Sequence, residues 1–286
     1  MSDLVRGLEL LLRHYKDWGI TSLAVPPLAC GEGQLEWRVV GPTLYRYLSK
    51  MEILVELYAP FGTPHRELQP EFLGGEGSRE QPAPRSRIDP AWVALAEIVR
   101  RVDAEPYHWP IGRTAFQKLA YLATEEGLPT GLQFTHGSYG PYSSGLKRLV
   151  TRLVNNGLIR EERLGRMFAV RPGPTLPDAL RAFRWEIDAW NPIIDRVADL
   201  FTRMDTRQAE ITATVVFATR ELKESRRARP SEREVLESVL RWKQRRRPPL
   251  PEEEIARTVR DLAALGWLDV QASRDLPLPK EAAAEV

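Results

Sequence analysis

"AVPPLACGEGQLEW" (residues 24–37) decides how the first part of this chain is read. An apolar run stops at Pro26 and Pro27, passes through a loop holding Cys30, Gly31, Glu32 and Gly33, and enters a helix that carries Trp37. Glycines between a strand and a helix let backbone N–H groups approach a phosphate or ribose closely, and open α/β sheets bind ligands at strand carboxyl ends. The same four residues also make a plain strand-to-helix turn, and spacing alone leaves both readings open. Further out, Leu4, Leu8, Leu11, Leu12 and Tyr15 recur at helical spacing behind the candidate cap Ser2, with Gly19 as a stop. "ITSLAV" (20–25) and "MEILVELYAP" (51–60) read as buried strands, and "LEWRVVGPTLYRYLSK" (35–50) as a helix in which Pro42 requires a kink or a late start. This order predicts a parallel α/β unit over 1–62, small enough to leave strand edges unpaired and one sheet face open. The expectation is that part of its domain precedes Met1.

The 286 residues favour two domains, and 41 basic against 39 acidic residues leave any electrostatic message local. One cysteine cannot form an internal disulfide, and no apolar run approaches the length of a membrane span, so a cytoplasmic protein without membrane contact is expected. Residues 63–87, with "GGEGSREQPAPRSR" inside them, read as a flexible linker.

Beyond it the pattern is helical. Asp89 and Pro90 open "PAWVALAEIVRRV", and Phe116, Leu119, Ala120 and Ala123 form a stripe in "GRTAFQKLAYLATEEG". "LQFTHGSYGPYSS" (132–144) reads as a loop. A helix with Leu146, Leu149, Val150, Leu153 and Val154 inward then stops at Gly157, and two alternating runs pair around Leu164, Gly165 and Arg166. Helix then hairpin predicts a winged-helix-like unit within a mainly helical α+β domain over 88–272. A long helix from 177 to 204 broken near Asn191–Pro192, helices over 208–224 and 231–243, the stretch "EEEIARTVRDLAALGWLDVQ" (252–271), whose helix, glycine and short strand start echo "GLKRLVTRLVNNGLIREE" as a weak repeat, and a frayed tail over 273–286 complete it.

Pro26, Pro27, Leu28, Ala29, Cys30, Gly31, Leu35 and Trp37 resemble the carboxyl-terminal part of a macrodomain, in the branch that contains the DarG antitoxins, DNA ADP-ribosylglycohydrolases. The resemblance covers about forty residues and implies ADP-ribose binding by Cys30, Gly31, Glu32 and Gly33, with Tyr58 beside the adenine. Gly33 stands where some relatives have an aspartate, so that position supplies no carboxylate. The catalytic lysine and first phosphate loop of the family lie ahead of this stretch; catalytic residues are unassigned, and hydrolysis of ADP-ribose from thymidine in DNA is expected only of a complete macrodomain. The second domain is similar to the toxin-binding region that follows the macrodomain in DarG, through Gln117, Lys118 and Leu119 and through Tyr139, Gly140 and Pro141. That resemblance implies a DarT-like toxin, a DNA ADP-ribosyltransferase, as partner, held from its DNA by His136, Tyr139 and Tyr142 or by an acidic face. Candidate acids are Glu125, Glu126, Glu161, Glu162, Glu186, Asp188 and Glu252 to Glu254.

Two other readings stand beside this one: an ADP-ribose-binding module without catalysis, and a winged-helix DNA-binding protein using "ESRRARPSER" and "RWKQRRRPP". The second run also suits a solvated helix end. Lys16, Lys50 and Lys118 are expected as solvated helix-surface charges. His14, His65, His108 and His136 show no metal spacing, so neither a metal nor a cofactor is expected.

Overall fold

The computed structural model describes residues 1–28, 30, 35–74, 88–165, 167–226 and 228–277. Helix α1 (Ser2–His14) leads into β1 (Ser22–Val25), and α2 (Trp37–Leu48) into β2 (Leu54–Leu57). The two strands pair in parallel, Ser22 opposite Leu54 and Val25 opposite Leu57, as the helix–strand order predicts. One face is covered by α1 and α2, through Leu8, Tyr15, Val40 and Leu44. The other carries Ser22, Ala24, Leu54 and Glu56 outward, with Leu54 70% exposed. α2 runs unbroken through Pro42. Gly41 makes room for Trp37 to fold back along the helix: a Cβ there would meet the indole at 2.9 Å.

Folded structure continues into the stretch expected as linker. A 3-10 turn (His65–Leu68) and α3 (Pro70–Leu73) pack on α2, where Trp37 Nε1 donates to the Glu67 carbonyl at 3.3 Å and Arg38 pairs with Glu67 at 3.3 Å. Leu73 and Phe72 join the first core, an anchor that the surrounding glycines and prolines obscure in sequence. Residues 75–87 lie outside the described residues.

The second core is built on α4 (Pro90–Ala104), α5 (Arg113–Glu125), the hairpin β3 (Thr135–Gly137) and β4 (Gly140–Tyr142), α6 (Gly145–Asn155), and the hairpin β5 (Ile159–Leu164) and β6 (Met167–Pro172). α7 (Leu176–Ala182), α8 (Arg184–Ala189), α9 (Asn191–Thr202), α10 (Thr206–Arg226), α11 (Glu232–Trp242) and α12 (Glu252–Ala264) follow. Asp89 caps α4 by accepting from the Ala91 N–H at 2.9 Å, and Ser231 with Glu234 forms a reciprocal capping box on α11. α4 is apolar nearly all round because α6, α8, α9 and β6 surround it. Glu97, buried on that helix, is held ionised by Arg100 and Arg101 at 2.7 and 2.8 Å; burial pushes its pKa up, and these bonds bring it below the usual carboxylate value.

The expected long helix over 177–204 is three. Phe183, fully buried, leaves helical geometry at φ −110° and ψ 25° so that its ring enters the core, and Trp190 breaks the chain again ahead of Pro192. The stretch expected as a loop over 132–144 contains β3 and β4, whose two-residue turn at Ser138 and Tyr139 is closed by paired Gly137 and Gly140. After α12, Gly266 reverses the chain at φ +70° and residue Gln271 bridges to Ser231; no hairpin matching β5–β6 forms among the described residues.

The two cores meet along α2 and α7. Val39 belongs to the second core with no exposed surface, Arg38 donates to the Ala182 carbonyl at 2.9 Å with its guanidinium over the Phe183 ring, and Arg46 pairs with Asp178. The Glu36 N–H donates to Asn156 Oδ1 at 2.9 Å. These contacts tie the residues before the expected linker to those after it.

Candidate functional site

Two places collect the residues singled out above. At the first, β1 and β2 run in parallel, so the loop after β1 and Tyr58 after β2 lie at the same carboxyl end of the sheet. Cys30 is buried, its N–H donating to the Pro27 carbonyl at 3.2 Å; Gly31, Glu32 and Gly33 lie outside the described residues. Tyr58 is 54% exposed and donates its hydroxyl to Glu56 at 3.0 Å, an interaction that raises its pKa. Its N–H donates to the Val25 carbonyl at 2.9 Å, which fixes the start of the outgoing chain.

The second place is the β3–β4 hairpin. It is gripped from below by α5, α10 and the end of α11. Lys118 Nζ donates to the Pro141 carbonyl at 2.8 Å and Gln117 Nε2 to the Ser143 carbonyl at 3.3 Å, so the Gln-Lys-Leu helix and the Tyr-Gly-Pro turn quoted above are bound to each other. Lys118, expected on the surface, is 3% exposed, and burial pushes its pKa down to about 8 with help from the nearby Lys243 charge.

α10 presents Glu210, Thr214, Phe217 and Glu221 as one stripe toward the hairpin, spaced four, three and four residues apart. Glu210 takes hydrogen bonds from Lys243 and Arg246, each at 2.9 Å. Burial raises the Glu210 pKa, but Arg246 and Lys243 more than offset it and the carboxyl stays below its usual value; burial keeps Lys243 below its own. Lys243 Nζ also donates to the Ser138 carbonyl at 3.0 Å, so two buried ammonium groups hold the hairpin backbone, one at its turn and one on β4. Gly140 sits at φ +89°, and a Cβ there would lie 2.7 Å from Thr214 Oγ1, which makes glycine a geometric requirement of this seat. His136 packs against Trp242 in a tilted pair with ring centroids 4.1 Å apart, meets the Phe217 ring edge-on at 5.1 Å and hydrogen-bonds Glu221 at 2.8 Å.

Of the three hairpin residues singled out in sequence, His136 is thus engaged in holding the hairpin, while Tyr139 and Tyr142 stand 58% and 49% exposed. The acids proposed as a separate face are mostly paired internally: Glu126 with Arg196 at 2.9 Å, Glu161 with Arg113 at 2.6 Å, Glu162 with Arg171 at 3.5 Å, Asp188 with Arg184 at 3.3 Å, and Glu125 and Glu254 with Arg220 and Arg207. The arginine-rich end of α11 is likewise drawn inward, Lys243 being buried and Arg246 bonded to Glu210, rather than wholly solvated. Sequence reading missed Glu210, Thr214, Glu221 and Lys243. The available signal was the regular return of polar residues in the otherwise apolar "AEITATVVFATREL".

The Lys118 ammonium gives a pH prediction. Its folded pKa is lowered from 10.5 to about 8, so between those values the unfolded chain binds more protons and stability rises with pH. Denaturant unfolding of the wild type and Lys118→Met at pH 7.5 and pH 10 is expected to show the wild type gaining up to roughly 3 kcal/mol relative to the variant. A pH-independent difference would place Lys118 in water.

Among the described residues no group of three His, Cys, Asp or Glu is placed to hold a metal ion, and no helix is long and apolar enough to cross a membrane. No protein-family model matches the chain. It is similar to curated proteins named DNA ADP-ribosyl glycohydrolase. The protein of that name from Thermus aquaticus is 28% identical over 223 residues, 77% of this chain and 58% of the relative. That of Mycobacterium bovis is 32% identical over 154 residues, 50% of this chain and 40% of the relative. A DNA ADP-ribosyl transferase–DNA ADP-ribosyl glycohydrolase fusion protein from Thermosipho africanus is 51% identical over 69 residues, 23% of this chain and 18% of the relative. The chain spans less than two thirds of each. The resemblance to the DarG family drawn from the residues is therefore met by curated relatives of that activity.

Proposed function

We propose that the chain is an antitoxin that neutralises a DarT-like DNA ADP-ribosyltransferase by binding it, with residues 88–272 as the binding domain and the β3–β4 hairpin as the contact. The observation that carries this reading is the seating of the hairpin by Lys118 and Lys243, which leaves Tyr139 and Tyr142 outward on fixed backbone. Exposed aromatics on a preorganised turn lose little conformational entropy when a partner covers them. The Thermosipho relative, whose name joins a transferase and a glycohydrolase in one polypeptide, supports the pairing of the two partners. The order α4, a bridge from Gly112 to Ala169, α5, α6 and the β5–β6 hairpin supports the winged-helix-like reading of this domain.

For residues 1–62 the proposal is a macrodomain part that holds ADP-ribose, or ADP-ribosylated DNA, at the strand carboxyl ends near Cys30 and Tyr58, as the glycohydrolase relatives suggest. Co-expression tests the main reading. Cells making a DarT-like toxin are expected to grow when they also make this chain and to arrest when it carries Tyr139→Ala and Tyr142→Ala. Arrest with the wild-type chain present and soluble would refute the antitoxin role.

A further inference from the structure

Acidic residues occur throughout the chain, 39 in 286, yet positions 127 to 160 contain none. This stretch holds α6, whose Leu146, Leu149 and Leu153 face the core and whose Lys147, Arg148 and Thr151 face outward. Lys147 and Arg148 have no carboxylate within ion-pair distance among the described residues, although the described arginines elsewhere are mostly paired. Arg152, one turn on, lies over the Trp92 ring at 5.5 Å. The next cations along the chain, Arg160 and Arg163, are exposed on β5, where Glu161 and Glu162 are already taken by Arg113 and Arg171. The result is a rigid helix face with cations, a hydroxyl and no exposed large apolar side chain, followed by a strand carrying two more cations.

We infer that the outward face of α6, extended by Arg160, binds the phosphate backbone of duplex DNA. A membrane surface would call for apolar side chains on this face, and α6 offers none that are large and exposed. A convex helix held by three buried leucines and bearing the unpaired Lys147 and Arg148 matches a regular array of phosphates, to which cations bind with release of counterions. The residues of this surface are not those of the hairpin, and the inference goes beyond the toxin-binding reading: it is tested by duplex affinity, whatever the outcome with a toxin.

The test is fluorescence anisotropy with a labelled duplex of about 20 base pairs and the full chain, at about 50 and 200 mM salt. The wild type is expected to bind at the lower salt and to weaken steeply at the higher. Lys147→Glu with Arg148→Glu is expected to weaken binding about tenfold or more and to flatten the salt dependence by roughly one to two phosphate contacts, with Arg160→Glu adding to the loss. Arg245→Glu with Arg247→Glu, just past the end of α11, is the control and should change affinity less than about threefold. Absence of duplex binding by the wild type, or a loss in the control as large as that in the α6 variant, would overturn the inference. Circular dichroism of each variant shows that it is folded.

Discussion

Glu210→Ala is expected to lower the unfolding free energy by about 3–5 kcal/mol and to release the β3–β4 hairpin. The carboxylate is 3% exposed and compensates two cations, Lys243, 5% exposed, and Arg246. Its removal leaves the Lys243 ammonium buried without a counter-charge, and the penalty for that exceeds the net worth of the intact pair. Glu210→Gln should fall between wild type and alanine, because the amide oxygen still accepts a hydrogen bond but no longer supplies charge. The folded carboxyl titrates below its usual value, so its contribution is fully present above the unfolded pKa near 4.5 and is lost as pH falls through the folded one. Urea unfolding at pH 7 measures the difference, and a loss under about 1 kcal/mol would mean that water reaches Lys243.

Asp178→Ala is expected to lose about 2–3 kcal/mol at the junction of the two cores, the worth of charge-assisted hydrogen bonds to a buried carboxylate. The Asp178 side chain is 2% exposed and joins Arg46 of α2 to Arg181 of its own helix. Arg46 is 45% exposed, so Arg46→Ala alone leaves the carboxylate with Arg181 and should lose about 1 kcal/mol or less. This asymmetry separates a buried carboxylate serving two arginines from an ordinary surface pair. Equal, small effects of the two substitutions would show that α2 and α7 are held by Val39 and Phe183 and not by charge.

The elements that sequence made legible are those whose signals are local. The parallel strands, Asp89 as a cap and the turn at Gly165 follow from periodicity, capping chemistry and glycine placement, which need only neighbours along the chain. What stayed hidden depends on residues far apart in sequence. Lys118 and Lys243 look like surface cations until Glu210 and the carbonyls of Pro141 and Ser138 surround them. The hairpin reads as a loop because three-residue strands carry too little alternation to register. Residues 65–73 look like linker because their anchors, Trp37 and Arg38, lie some thirty positions away. In the candidate site, Tyr139 and Tyr142 could be named from sequence, whereas the machinery that fixes them could not.

A hairpin seated on buried ammonium groups is proposed to present Tyr139 and Tyr142 to a protein partner. Isothermal titration of a purified DarT-like toxin into the full chain tests it most directly, comparing wild type with Tyr139→Ala and Tyr142→Ala combined. A tight one-to-one complex is expected for the wild type and about a hundredfold weaker binding for the variant, with thermal unfolding unchanged. Wild-type affinity retained by a folded variant would contradict it.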